Sequence, residues 1–162
     1  MTVKTHITFK DFFIFHLKSS VIRMIIYLVV LLTVLFINLY NAEDDSKEYL
    51  KLMCAFSSII FVFIIIRTYF SLKNAFNSNK KIQEGISYTF TNEKIRTEGE
   101  TFDGDFTWDT VYKVKENKDW FLIYQSAQVM NMVPKKYFAK EQILELRNII
   151  KSNNVKAKLR ND

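Results

Sequence analysis

The sequence predicts an α+β protein: a two-helix transmembrane hairpin followed by a small, bent antiparallel sheet capped by a C-terminal helix. Three observations carry that prediction. Two uncharged apolar blocks lie close together in the first half, apolar and polar residues alternate with a period of two from Gly85 onward, and a stripe at helical spacing closes the chain. Whole-chain averages hide this division, because 162 residues at 49% apolar content and a net charge of +6 look ordinary. With 15 Phe against 3 Gly and 1 Pro, composition excludes collagen-like, linker-like and disordered classes. The single Cys excludes a disulfide scaffold.

Residues 1–18 are a cytoplasmic N-terminal segment. Phe9, Phe12, Phe13 and His16 follow helical spacing there, and Thr8 or Asp11 is placed to cap a helix start. An interfacial helix, packing against a cytoplasmic domain, or extension of the first membrane helix all fit this pattern. Residues 19–72 form the hairpin, with spans at about 19–40 and 50–72. Met24 to Tyr40 carries no charge, and about 20 residues at 1.5 Å rise cross a hydrocarbon core of roughly 30 Å. Leu52 to Ile66 is shorter, but continues past Arg67 into Thr68 to Leu72, and an arginine near a helix end extends its guanidinium to the headgroups. Neither block has a polar face as a surface helix would. The first also lacks the small-residue cleavage site and short apolar core of a signal peptide.

Orientation follows from the flanks. Lys4, Lys10, Lys18 and Arg23 precede the first span, and Arg67, Lys73, Lys80 and Lys81 follow the second, whereas the connection carries Glu43, Asp44, Asp45 and Glu48 against Lys47 and Lys51. Basic flanks stay on the cytoplasmic side, which predicts a multi-pass protein of the cell inner membrane with both termini cytoplasmic. Residues 1–84 hold 10 basic and 6 acidic side chains, so four of the six net charges belong to the membrane half. A nucleic-acid partner is excluded on this distribution.

Residues 73–84 read as a polar linker or the end of a helix emerging from the bilayer, and residues 85–162 as a cytoplasmic domain. Ile86, Tyr88 and Phe90 alternate with Ser87, Thr89 and Thr91, a second strand centres on Ile95, and a third sets Phe102, Gly104, Phe106 and Trp108 against Asp103, Asp105, Thr107 and Asp109. Asp109 to Tyr112 makes a short helical turn or a strand entry before Val114. Trp120 to Tyr124 is apolar on both parities, as a strand covered on both sides would be. Val129 to Val133 is a last strand, ended by Pro134. Ile143, Leu146, Ile149 and Ile150 then mark a helix over about 139–152.

The N-terminal Ile7–Lys18 run, the closely spaced spans, and Trp108-Asp109-x-Val111 followed by Pro134-Lys135-Lys136-x-Phe138 together resemble the YcxB-like family of bacterial membrane proteins. The resemblance covers nearly the whole chain. It implies a pleckstrin-homology-like C-terminal domain in which Trp108, Asp109, Val111, Pro134 and Phe138 are structural. It names no activity. Ala139 departs from the capping residue expected before the last helix, at about 0.5–2 kcal/mol.

Catalytic chemistry finds no support in the residues. Cys54 lies in the second span, far in sequence from His6 and His16, so neither an activated thiol nor a zinc site is predicted. Asp103, Asp105 and Asp109 read as a solvated sheet face. No catalytic residue, cofactor or metal is expected. Lys113, Lys115, Lys118, Lys135 and Lys136 are candidate contacts to the anionic inner leaflet or to a partner. Cys54 and Ser58, small residues four apart, fit close packing within the hairpin or homo-oligomerisation through the spans. The expected function is non-enzymatic, a membrane-anchored domain that scaffolds a protein partner or senses the bilayer surface. The alternative is an immunity protein neutralising a membrane-acting toxin.

Overall fold

The structure, a computed structural model, describes residues 1–41 and 44–161, without the side chains of residues 19–23, 39 and 41–46. Of the predicted acidic connection, Glu43 lies outside what is described, as do the side chains of Asp44, Asp45 and the flanking Arg23. The chain is α+β and forms two compact units, Thr8–Asn79 and Met1–Ile7 with Lys80–Asp162.

Strand β1 (Thr2–His6) opens the chain. Helix α1 (Phe9–Asn41) and helix α2 (Asp44–Ser78) follow, and they pack against each other. At the start of α1 the Thr8 hydroxyl accepts from the Asp11 amide at 3.2 Å while Asp11 Oδ2 accepts from the Thr8 amide at 3.0 Å. This reciprocal cap satisfies amides that an N-terminus would otherwise orphan. The aromatic run is thereby the first turns of α1. The Phe9 ring lies 5.9 Å from Tyr69 and 5.7 Å from Phe76, and Phe12 lies 5.6 Å from Phe76.

One predicted boundary changes, and one open reading is resolved. Residues 1–18 are divided between a strand and a helix start, because Val3 and Thr5 fill positions beside β2 while Phe9 and Phe12 find partners on α2. Of the two readings of residues 73–84 the structure has the helix end: α2 runs to Ser78, where Phe76 packs on Phe12, and a single turn, α3 (Lys80–Gln83), follows. Within α2, Lys47–Ser78 is long and apolar enough to cross a membrane, with mean hydropathy 2.3 over its best window. In α1 the apolar stretch among the described residues, Met24–Asn38, is shorter.

The other unit holds two four-stranded sheets, the α3 turn and one longer helix. Strands β2 (Gly85–Phe90), β3 (Lys94–Glu98) and β4 (Asp103–Thr107) continue from β1 in the order β1-β2-β3-β4, all antiparallel. A 3₁₀ turn at Trp108–Thr110 leads into β5 (Lys113–Glu116), β6 (Trp120–Tyr124) and β7 (Met130–Pro134). The second sheet has the order β7-β6-β5-β8, where β8 (Ala157–Lys158) runs parallel to β5. Before β8, α4 (Lys140–Ser152) buries Leu146, Arg147, Ile149 and Ile150. One hydrophobic core joins Tyr88, Phe90 and Ile95 of the first sheet, Phe121, Ile123 and Val133 of the second, and Leu146 and Ile150 of α4. Ala139 offers no capping oxygen to α4, but Gln142 Oε1 accepts from its amide at 2.9 Å, half of a capping box.

Candidate functional site

The buried polar centre of the two-sheet unit was not foreseen from sequence. Glu116 ends β5 with its side chain wholly buried, and Arg147, on the inner side of α4, meets it twice: Nε donates to Oε2 at 2.9 Å and an Nη to Oε1 at 2.7 Å. Lys135 Nζ donates to Oε1 at 2.5 Å, and the Arg160 amide to Oε2 at 3.1 Å. Burial by itself would raise the Glu116 pKa, but the hydrogen bonds from Arg147, Lys135 and the Arg160 amide outweigh it and hold the carboxyl below its usual range. The sheet, the turn after β7, the helix and the C-terminal segment thus share one carboxylate.

This corrects one predicted contact. Lys135 is turned inward, only 10% of its side chain exposed, with its ammonium on Glu116 and 5.4 Å from the Phe121 ring centre. A buried carboxylate demands its cation. Lys136 and Lys118 are exposed, and the Lys136 ammonium lies 5.1 Å from the Tyr137 ring centre.

Of the residues expected to be structural, Trp108, Val111, Pro134 and Phe138 pack into the two-sheet unit, whereas Asp109 is exposed. Trp108 is buried, and its Nε1 donates to the Thr91 carbonyl at 2.8 Å, tying the 3₁₀ turn to the β2–β3 connection. The Val111 amide donates back to Trp108 O at 3.2 Å, with Val111 buried and Asp109 exposed between them. Pro134 is fully buried at the end of β7. The Phe138 ring lies 5.8 Å from Phe121 and 6.4 Å from Phe90, bridging the two sheets.

A basic face is the strongest candidate for recognition. Lys115 and Lys158 are direct partners in the parallel β5–β8 pairing, so their side chains leave the same side of the sheet. The Val114 amide donates to Lys156 O at 2.9 Å, which sets Lys156 at the start of the same pairing, one row along beside Lys113. Among the described residues none of these four lysines is in an ion pair, while the Lys113 ammonium stands 4.9 and 4.8 Å from the Tyr112 and Tyr124 ring centres. The signal for β8 was in the sequence: Val155, Ala157 and Leu159 alternate with Lys156, Lys158 and Arg160. Val155 and Leu159 pack on the core, which turns the basic residues outward.

The acidic strand is a paired surface. Asp105 Oδ2 accepts from Lys94 Nζ at 2.5 Å and Asp103 accepts from Arg96 at 2.7 and 3.1 Å, across β3 and β4. Cys54 lines an apolar groove between α1 and α2 with Val29, Leu32 and Leu35, and the Ser58 hydroxyl donates back to Cys54 O at 2.8 Å. His16 contacts Phe12 at 4.3 Å between ring centres. Among the described residues no group of three or more His, Cys, Asp or Glu could hold a metal ion.

These features define an α+β protein with two packed long helices and a two-sheet unit. Residues 90–150 match the model of the YcxB-like protein family. The chain is also 26% identical over 165 residues to the uncharacterized protein YcxB of Bacillus subtilis (strain 168), covering 95% of this chain and 89% of that protein. No solved structure gives a significant match.

Proposed function

We propose that this chain is a non-enzymatic, membrane-anchored binding protein. In this reading α1 and α2 form a two-span hairpin in the cell membrane with both termini cytoplasmic, and the two-sheet unit is a pleckstrin-homology-like domain offered to a protein partner or to the bilayer surface. The observation that carries it is the outward apolar surface of the helices: Phe36, Phe56 and Phe63 are 68%, 65% and 64% exposed, with Val29, Ile59, Ile60 and Val62 also open. Apolar surface of that extent is unfavourable in water and is relieved by hydrocarbon, where a helix satisfies its own backbone hydrogen bonds. Basic flanks and an acidic connection support the orientation. Two sheets closed by a terminal helix support the domain assignment.

Single-cysteine labelling tests the reading in intact cells, in a Cys54→Ser background. An impermeant maleimide reaches Ser46→Cys directly and Ser152→Cys only after permeabilisation. The reverse pattern overturns the orientation, and labelling of both without permeabilisation overturns cytoplasmic placement of the domain.

A further inference from the structure

We propose that the Lys113–Lys115–Lys156–Lys158 face is the surface by which the two-sheet unit lies on an anionic bilayer. This deepens the membrane-anchored reading and rests on it. The Lys115–Lys158 pairing sets two like charges directly opposite on neighbouring strands, an arrangement that costs stability when nothing lies over it. Strands are about 4.8 Å apart and alternate residues about 6.6 Å, so four ammonium groups spring from one small patch of the sheet edge.

The chemistry of the patch favours a charged surface over a small bound anion. Lysine ammoniums are compact, strongly hydrated charges on flexible stems, without the fork that grips a single phosphate. The backbone amide at the centre of the patch is spent on the ladder, Val114 to Lys156 O, and offers no cradle. Beside Lys113, the Tyr112 ring is 50% exposed, and Tyr124 flanks the same ammonium. Amphipathic tyrosines next to lysines suit the headgroup region. β8 is an edge strand, so a flat bilayer reaches the patch without displacing another strand. Each lysine at an anionic surface strengthens association about fivefold.

The test uses the full chain in lipid nanodiscs, either zwitterionic or containing about a third phosphatidylglycerol, with amine-reactive pulse labelling read by mass spectrometry. The labelling rates of Lys115 and Lys158 fall at least fivefold in anionic discs and recover at about 1 M salt, where the Debye length is about 3 Å, while that of Lys151 on α4 is unchanged. A Lys115→Glu/Lys158→Glu variant abolishes the protection of Lys113 and Lys156. Equal labelling in both discs, with the chain retained in them, overturns the lysine face and leaves the anchoring intact. Protection of the same lysines by inorganic phosphate in zwitterionic discs overturns the bilayer as occupant. A chain that is not retained by either disc overturns the anchoring reading and this inference with it.

Discussion

Arg147 of α4 closes a two-point hydrogen bond on Glu116 of β5 across 31 positions of sequence, at 2.7 and 2.9 Å, in a site from which the carboxylate has no access to solvent. Removing Arg147 leaves Lys135 and the Arg160 amide on Glu116, so the loss is that of hydrogen bonds to a charged group, about 1.5–3 kcal/mol. Arg147→Ala is therefore expected to lower the stability of the two-sheet unit by that amount, measured by urea unfolding of the purified chain in detergent through tryptophan fluorescence. Glu116→Gln/Arg147→Met costs less than the sum of its single changes, because the two act on one interaction.

The same carboxylate sets an acid limit. Its folded pKa lies below its unfolded one, so its contribution is fully present above the ordinary glutamate value of about 4.3 and is lost as pH falls through the depressed folded value. The unfolding midpoint of the wild-type chain, followed from pH 7 downward, should drop more steeply below about pH 4.3 than that of Glu116→Gln. Parallel curves would show that Glu116 carries none of the acid sensitivity.

Trp108 joins packing to one directed hydrogen bond, and two substitutions separate them. Trp108→Phe keeps a buried ring and loses the donor to Thr91 O, an expected cost of about 1–3 kcal/mol. Trp108→Ala also empties the space beside Phe90 and costs about 3–5 kcal/mol. Thermal unfolding monitored through Trp120 distinguishes the two, and equal losses would assign the whole effect to the hydrogen bond.

Local pattern made β2, β3, β6, β7 and α4 legible, because each writes its own period in consecutive residues: Ile86, Tyr88 and Phe90 for a one-sided strand, unbroken Trp120–Ile123 for a strand buried throughout, and Leu146, Ile149 and Ile150 for a helix. The elements that escaped are short and depend on distant partners. Val3 pairs with Tyr88 across the whole helical segment, and β8 has two residues, recognisable only once β5 stands beside it. The Glu116 centre escaped for a different reason. Glutamate, lysine and arginine are ordinarily solvated, and nothing in the spacing of residues 116, 135 and 147 marks them as inward. Conversely Lys113 and Lys115 were visible as a basic face, while half of that face, Lys156 and Lys158, came from the strand that local pattern left unread.

The membrane reading turns on side chains whose exposure is meaningless in water and required in lipid. Ile59 and Phe63 lie one turn apart on α2, 67% and 64% exposed. If α2 were a solvated helix, placing charge at both positions would be nearly neutral, since exposed substitutions away from special features rarely exceed about 0.5 kcal/mol. If α2 spans a bilayer, each aspartate near its centre costs about 2.5–3.5 kcal/mol on insertion scales. Ile59→Asp/Phe63→Asp should therefore lose most of its carbonate-resistant membrane fraction, whereas Leu144→Asp, at an equally open position on α4, leaves that fraction unchanged. Retention of the doubly charged chain at the wild-type level would remove α2 from the membrane, and the positive flanks would then need another explanation.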